Sequence, residues 1–130
     1  MRDLAIVLAL LVFLAAPAAA QAAGPLVCAI VDVFDCSAGD CTEVTSEAVG
    51  VPDLLRLDPG KKTLTGLDRE FGRAATPLAS LASEGGKTTA RASHEDRSLA
   101  LVVEDESGDA MLTVTDHKVT LVAYGECAAP

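Results

Sequence analysis

Three successive stretches near the C-terminus constrain this chain more than anything else in it. Ser98-Leu99-Ala100-Leu101-Val102-Val103 is a short apolar run with a β-branched end. Met111-Leu112-Thr113-Val114-Thr115 alternates, with Leu112 and Val114 on one face and Thr113 and Thr115 on the other. Val119-Thr120-Leu121-Val122-Ala123-Tyr124 alternates again and stops at Gly125. A period of two with Thr on the outer face predicts half-buried strands. The polar breaks Glu104–Asp109 and Asp116–Lys118 are short and turn-like, so the strands are expected to be antiparallel neighbours. A three-stranded meander has one apolar face and is not stable alone. The preceding residues must cover it.

The rest of the chain supplies more strands. Leu26 to Phe34 reads as a mostly buried strand with Asp32 on the solvent face. Residues 53–67 read as a hairpin about Pro59-Gly60, with Leu55 and Leu57 alternating on the way in and Lys61 to Leu67 on the way out. Val44 to Val51 is read as a weak strand or extended edge, and Asp68 to Thr76 as a charged loop. Pro77 to Ser83 fits a helical turn or a strand, because seven residues do not separate the two periods. Glu84 to Lys87 is a turn, and Thr88 to Ala92 an edge strand. Seven or eight short strands with turns between them predict an all-β domain, a small antiparallel barrel or sandwich.

Residues 1–23 stand apart. A basic start at Arg2, an apolar run from Leu4 to Leu14, Pro17 and small residues up to Ala23 form a secretory signal pattern. The run is too short to span a membrane, and cleavage is expected after Ala20 or Ala23. Val27 before Cys28 does not suit a lipoprotein signal. Residues 24–130 are then a single exported β domain, periplasmic or secreted in a bacterial cell, with no membrane insertion after signal removal.

The four cysteines, Cys28, Cys36, Cys41 and Cys127, all follow the signal. An even number in an exported domain predicts two disulfides. Only Ser37 to Asp40 separates Cys36 from Cys41, so a local link is easy. Cys28 with Cys127 would then join the first strand to the last. Cys28 and Cys36 share parity along one strand, which leaves a Cys36–Cys127 link open as well. The pairing 28–127 with 36–41 is favoured. Cys36-x4-Cys41 lacks the tight spacing of zinc knuckles, and no CxxC redox motif is present.

Composition excludes several functions. The formal net charge is −9, which disfavours nucleic acid and anionic membranes as partners. After the signal the aromatic residues are Phe34, Phe71 and Tyr124, too few for stacking platforms. The core must therefore be Val, Leu and Ala. Asp32, Asp35, Asp40 and Glu43 lack the register of a calcium loop, so no metal or cofactor is expected. Nucleophile elbows, P-loops, GxGxxG turns and HExxH are missing. His94-Glu95-Asp96 is the one cluster with an acid–base character. His117 falls in a hairpin turn.

The early cysteine trio, Leu55-Arg56-Leu57-Asp58 before Lys61-Lys62, and the final Tyr124-Gly125-Glu126-Cys127 together give a layout that resembles a set of small exported bacterial proteins of unknown function. The resemblance implies one compact domain whose last strand ends on a structural cysteine. It implies no mechanism. Bacterial β-barrel metalloprotease inhibitors are also small, exported and disulfide-bearing, but their aromatic core and N-terminal trunk are not visible here. The expected function is non-catalytic: an interaction domain contacting another envelope protein. The alternatives are a carrier of a small apolar ligand inside a barrel, and a protease-inhibitor-like protein or small hydrolase using His94.

Overall fold

The computed structural model describes residues 24–68 and 75–130. The expected signal peptide, and all but the two ends of the expected loop at 68–76, lie outside the described residues. The chain runs β1 (Leu26–Asp35), β2 (Thr42–Val44), α1 (Ser46–Val49), β3 (Leu54–Asp58), β4 (Thr63–Gly66), β5 (Ala75–Glu84), β6 (Lys87–His94), β7 (Arg97–Glu104), β8 (Asp109–Thr115) and β9 (Thr120–Ala128). Every pairing is antiparallel. β3 to β9 follow one another in order, and β1 closes the ring by pairing with both β3 and β9. Eight strands form a closed up-and-down barrel, and β2 pairs outside the ring with the far half of β1. Closure removes the free edges that an open sheet of this kind would expose.

Alternation decides what fills the barrel. Leu55 and Leu57 on β3, Leu101 and Val103 on β7, Leu112 and Val114 on β8, and Leu121 and Ala123 on β9 are all buried. Leu57, Leu101, Leu121 and Cys28 are the largest side chains with essentially no exposure. Among the described residues the buried core is aliphatic and cysteine, with no aromatic ring in it. Among the described residues the one buried polar side chain, Thr88, is satisfied by Asp105 at 2.7 Å and by Ser83 at 3.1 Å. A buried hydroxyl without such partners would carry a desolvation penalty of roughly 1–3 kcal/mol.

The structure departs from the sequence reading at three places and decides a fourth that the sequence left between two alternatives. Only residues 42–44 of the Val44–Val51 region and its approach are extended. The chain then forms one turn of helix, α1, capped by the Thr45 hydroxyl accepting from Ala48 N–H at 3.3 Å. β6 is no edge strand, because β5 flanks it on one side and β7 on the other. Pro77–Ser83 is strand, within β5, and a bulge between Leu78 and Ser80 turns both Leu78 and Leu81 toward the core. A second bulge, between Ile30 and Asp32, breaks the parity of β1: Cys28 is buried, and so is Val33 five residues later. The shared parity of Cys28 and Cys36 therefore does not hold.

The structure pairs Cys28 with Cys127 and Cys36 with Cys41. The first pair faces across the β1–β9 seam, where the two residues are direct register partners. The second clamps the β1–β2 turn. That turn is also tied to β9, through Cys36 N–H donating to the Thr120 carbonyl at 2.8 Å and Thr120 N–H donating to the Ser37 hydroxyl at 3.0 Å.

Candidate functional site

Two surfaces stand out, one at an end of the barrel and one on its outer wall. At the end where β6 meets β7 and β8 meets β9, the side chains leave a half-open cavity of about 210 Å³. Its floor is Leu55, Leu64, Leu99, Leu112 and Val114, from four strands of the ring. Val51, delivered by the turn after α1, closes part of the opening. Two basic side chains, His94 and Arg97, stand at the rim.

Register explains why they stand there. His94 continues the inward positions Ala90 and Ala92 of β6, and Arg97 begins the inward series Leu99, Leu101 and Val103 of β7. The two are direct cross-strand partners on either side of the two-residue turn Glu95-Asp96, whose Glu95 sits at φ 54°. Arg97 is held by Asp116, its Nε lying 3.5 Å from Oδ2. The other Asp116 oxygen, Oδ1, accepts from the Lys118 and Val119 N–H groups, each at 2.7 Å. Those two bonds, with smaller help from the charges of His117 and Arg97 and against some desolvation, hold the Asp116 carboxyl below the usual carboxylate range. The turn thus fixes Asp116, and Asp116 fixes Arg97.

Of the cluster singled out from the sequence, His94, Glu95 and Asp96 all lie in this exposed turn region. His94 Nε2 and Glu95 Oε1 are 4.0 Å apart, with both side chains more than half exposed. A loose, solvated pair of that kind carries little energy and orients nothing. No Ser or Cys nucleophile accompanies His94 at the rim. Arg97 was missed as a site residue. Its signal was present in the sequence, as a charge standing in the apolar register of a strand. Among the described residues, no group of three or more His, Cys, Asp or Glu side chains is close enough to hold a metal ion. No described helix is long and apolar enough to cross a membrane.

The second surface is the outer wall of β1, β9 and β8. Phe34 and Tyr124 meet edge to face there, with ring centroids 6.1 Å apart and planes at 73°. Val31 at the bulge is 71% exposed, Tyr124 46% and Met111 37%. Met111 is the register partner of Tyr124, and Val122 that of Phe34, so these side chains form one apolar patch. Carboxylates ring it. Asp32 is opposite Tyr124, Glu43 opposite Phe34, and Glu126 opposite Asp109 one step along the wall.

No protein-family profile matches the chain, and neither the curated proteins nor the solved structures contain a significant match to it.

Proposed function

We propose that this chain is an exported, non-catalytic binding domain of the cell envelope that docks another protein on the outer wall of β1, β9 and β8. One observation carries the reading: Phe34 and Tyr124 are on the outside. In a chain with so few rings, a core builder would bury them. Aromatic anchors that exclude water at the centre of a patch are what protein interfaces concentrate their energy on. The leader-like residues 1–23 and the placing of all four cysteines in disulfides support an exported, periplasmic or secreted, setting.

The partner's chemistry follows from the rim. Asp32, Glu43, Asp109 and Glu126 border the patch, and among the described residues none of them is in an ion pair. A partner that fits presents an apolar protrusion flanked by Lys or Arg. A second copy of this chain fits poorly, because a two-fold contact would bring these carboxylates against one another.

A photo-crosslinking amino acid placed at Tyr124 or at Met111 tests this in cells. Ala82, exposed on β5, the strand opposite β9 in the ring, is the control position. Adducts to one protein from the first two positions, lost at high salt and with a basic surface at the crosslinked site, are expected. Equal capture from Ala82, self-adducts alone, or no adduct from Tyr124 and Met111 overturns the reading.

A further inference from the structure

The geometry points to a second, independent site: the open end of the barrel binds a small aliphatic carboxylate, with the tail among Leu55, Leu64, Leu99, Leu112 and Val114 and the carboxylate on Arg97. The inner wall supplies the apolar half of this recognition. Arg97 supplies the other half. Its side chain holds the inward register at the rim yet stays 42% exposed, so the guanidinium borders both the hollow and the solvent from which a ligand would enter. Its guanidinium lies 3.5 Å from Asp116 through Nε, and among the described residues no other carboxylate is in an ion pair with it. A planar fork of that kind suits a carboxylate better than any neutral group. His94, directly across the turn, adds a second donor at the same rim.

Among the described residues, three acids flanking the opening already have partners. Asp116 is committed to Arg97 and to two backbone N–H groups. Asp53 accepts the Ser46 hydroxyl, and Asp68 accepts the backbone N–H groups of Asp53 and Leu54. Glu95 and Asp96 lie in the exposed turn. Against the chain's net charge of −9, the arginine at the mouth of the apolar hollow is the local feature that favours a carboxylate head over an amine. Size limits the tail. At about 30 Å³ for each water-sized unit of liquid, a volume of about 210 Å³ accommodates roughly seven such units. That is smaller than the roughly 300–1,000 Å³ of a drug-sized pocket, and it matches a chain of about six carbons rather than a long fatty acid.

Hexanoate, hexan-1-ol and hexylamine are the probes, each titrated into the full disulfide-bonded domain with methyl NMR as the readout. Hexanoate is expected to shift the methyl signals of Leu55, Leu64, Leu99, Leu112 and Val114, and to bind at least tenfold more tightly than the alcohol or the amine. Arg97→Gln is expected to weaken hexanoate about tenfold and leave hexan-1-ol unchanged, with Arg97→Lys recovering part of the loss. The thermal midpoint of each variant is recorded alongside, so that a folding defect is seen as such. The proposal is overturned if these methyl signals do not move up to the solubility limit of the acid. It is equally overturned if the alcohol binds as well as the acid, or if a folded Arg97→Gln variant binds hexanoate like the wild type. None of these outcomes depends on the outer wall, so this site and the docking surface stand or fall separately.

Discussion

Gly125 lies directly against the carbonyl group of Ala29. A Cβ built on Gly125 would overlap the Ala29 carbonyl oxygen and stand only 2.9 Å from its carbon and 3.0 Å from the Ile30 Cα. All three obstructing atoms are backbone, so no side chain can swing away. The site is the β1 bulge, where Ile30 pairs with Gly125 before the register shifts. Gly125→Ala must therefore push β9 from β1 where the barrel closes. Overpacking of this kind costs about 1–3 kcal/mol, and each kcal/mol moves the melting midpoint of a domain this small by roughly 4–8 °C. Thermal unfolding checks it. Gly24→Ala, with nothing within 4 Å of the added Cβ, should leave the midpoint unchanged.

The two disulfides should differ in what they contribute. Cys28 and Cys127 are 99 residues apart in sequence, Cys36 and Cys41 only 5. In the chain-entropy account, a link closing the longer loop stabilises by about 4–5 kcal/mol and the shorter by about 2 kcal/mol. Urea unfolding of the paired variants Cys28→Ala/Cys127→Ala and Cys36→Ala/Cys41→Ala measures both. The larger loss is expected from the first. The opposite order would mean that the Cys36–Cys41 clamp on the β1–β2 turn and the start of β9 matters more than chain entropy.

The strands that could be read from sequence are those in which alternation runs unbroken. β8 and β9 each keep their apolar residues at every second position, and their pairing places Leu112 beside Ala123 as such a pattern requires. β5 was ambiguous for a physical reason. Its bulge brings Leu78 and Leu81 to the same side at a spacing of three, which is the spacing of a helix. The bulge in β1 had no sequence marker, so Cys28 and Cys36 were assigned to one face. β6 has only small inward residues, Ala90 and Ala92, so its sequence carries no mark of a strand flanked on both sides. In the closed ring, small residues are what an interior shared with Leu99 and Leu101 accommodates. The candidate site was half visible. His94 stands out in the sequence through the acid–base character of His94-Glu95-Asp96, whereas Arg97 does not, because the apolar run that marks its strand begins one residue later. The outer patch is half legible: Phe34 shares parity with the solvent-facing Asp32 and Tyr124 with Thr120, but the β1–β9 register that brings the two rings together is set by the barrel's closure.

Acid should destabilise the domain through two carboxylates. Asp116 is held low chiefly by the Lys118 and Val119 N–H groups, and Asp35 by the hydroxyl and N–H of Ser37. A carboxyl whose folded value lies below its unfolded value, about 3.9 for Asp, stabilises the fold above that unfolded value. The contribution is lost as pH falls through the lowered folded value. The urea midpoint should thus be flat near neutrality and drop below about pH 4. Asp116→Asn should start lower at pH 7 and fall less steeply, so that the two curves converge in acid. Curves that stay parallel would show that Asp116 contributes no linkage.

Inside and outside should separate cleanly in mutagenesis. Leu101 is 1% exposed and sits in the ring between Ala90 and Leu112, so Leu101→Ala leaves a void and should cost about 2–5 kcal/mol. Tyr124 is larger, yet nearly half of it faces solvent, and its principal aromatic contact is the edge-to-face pair with Phe34. Tyr124→Ser loses up to about 1.5 kcal/mol of the ring pair together with the burial of its covered half, and should cost less than Leu101→Ala. Chemical unfolding of both variants measures the contrast, and crosslinking from Met111 in the Tyr124→Ser background measures docking. A stable domain that no longer captures its partner means the ring is kept on the wall for binding. A large loss of stability from Tyr124→Ser would instead make the pair a structural brace across the β1–β9 seam, and would remove the observation on which the docking proposal rests.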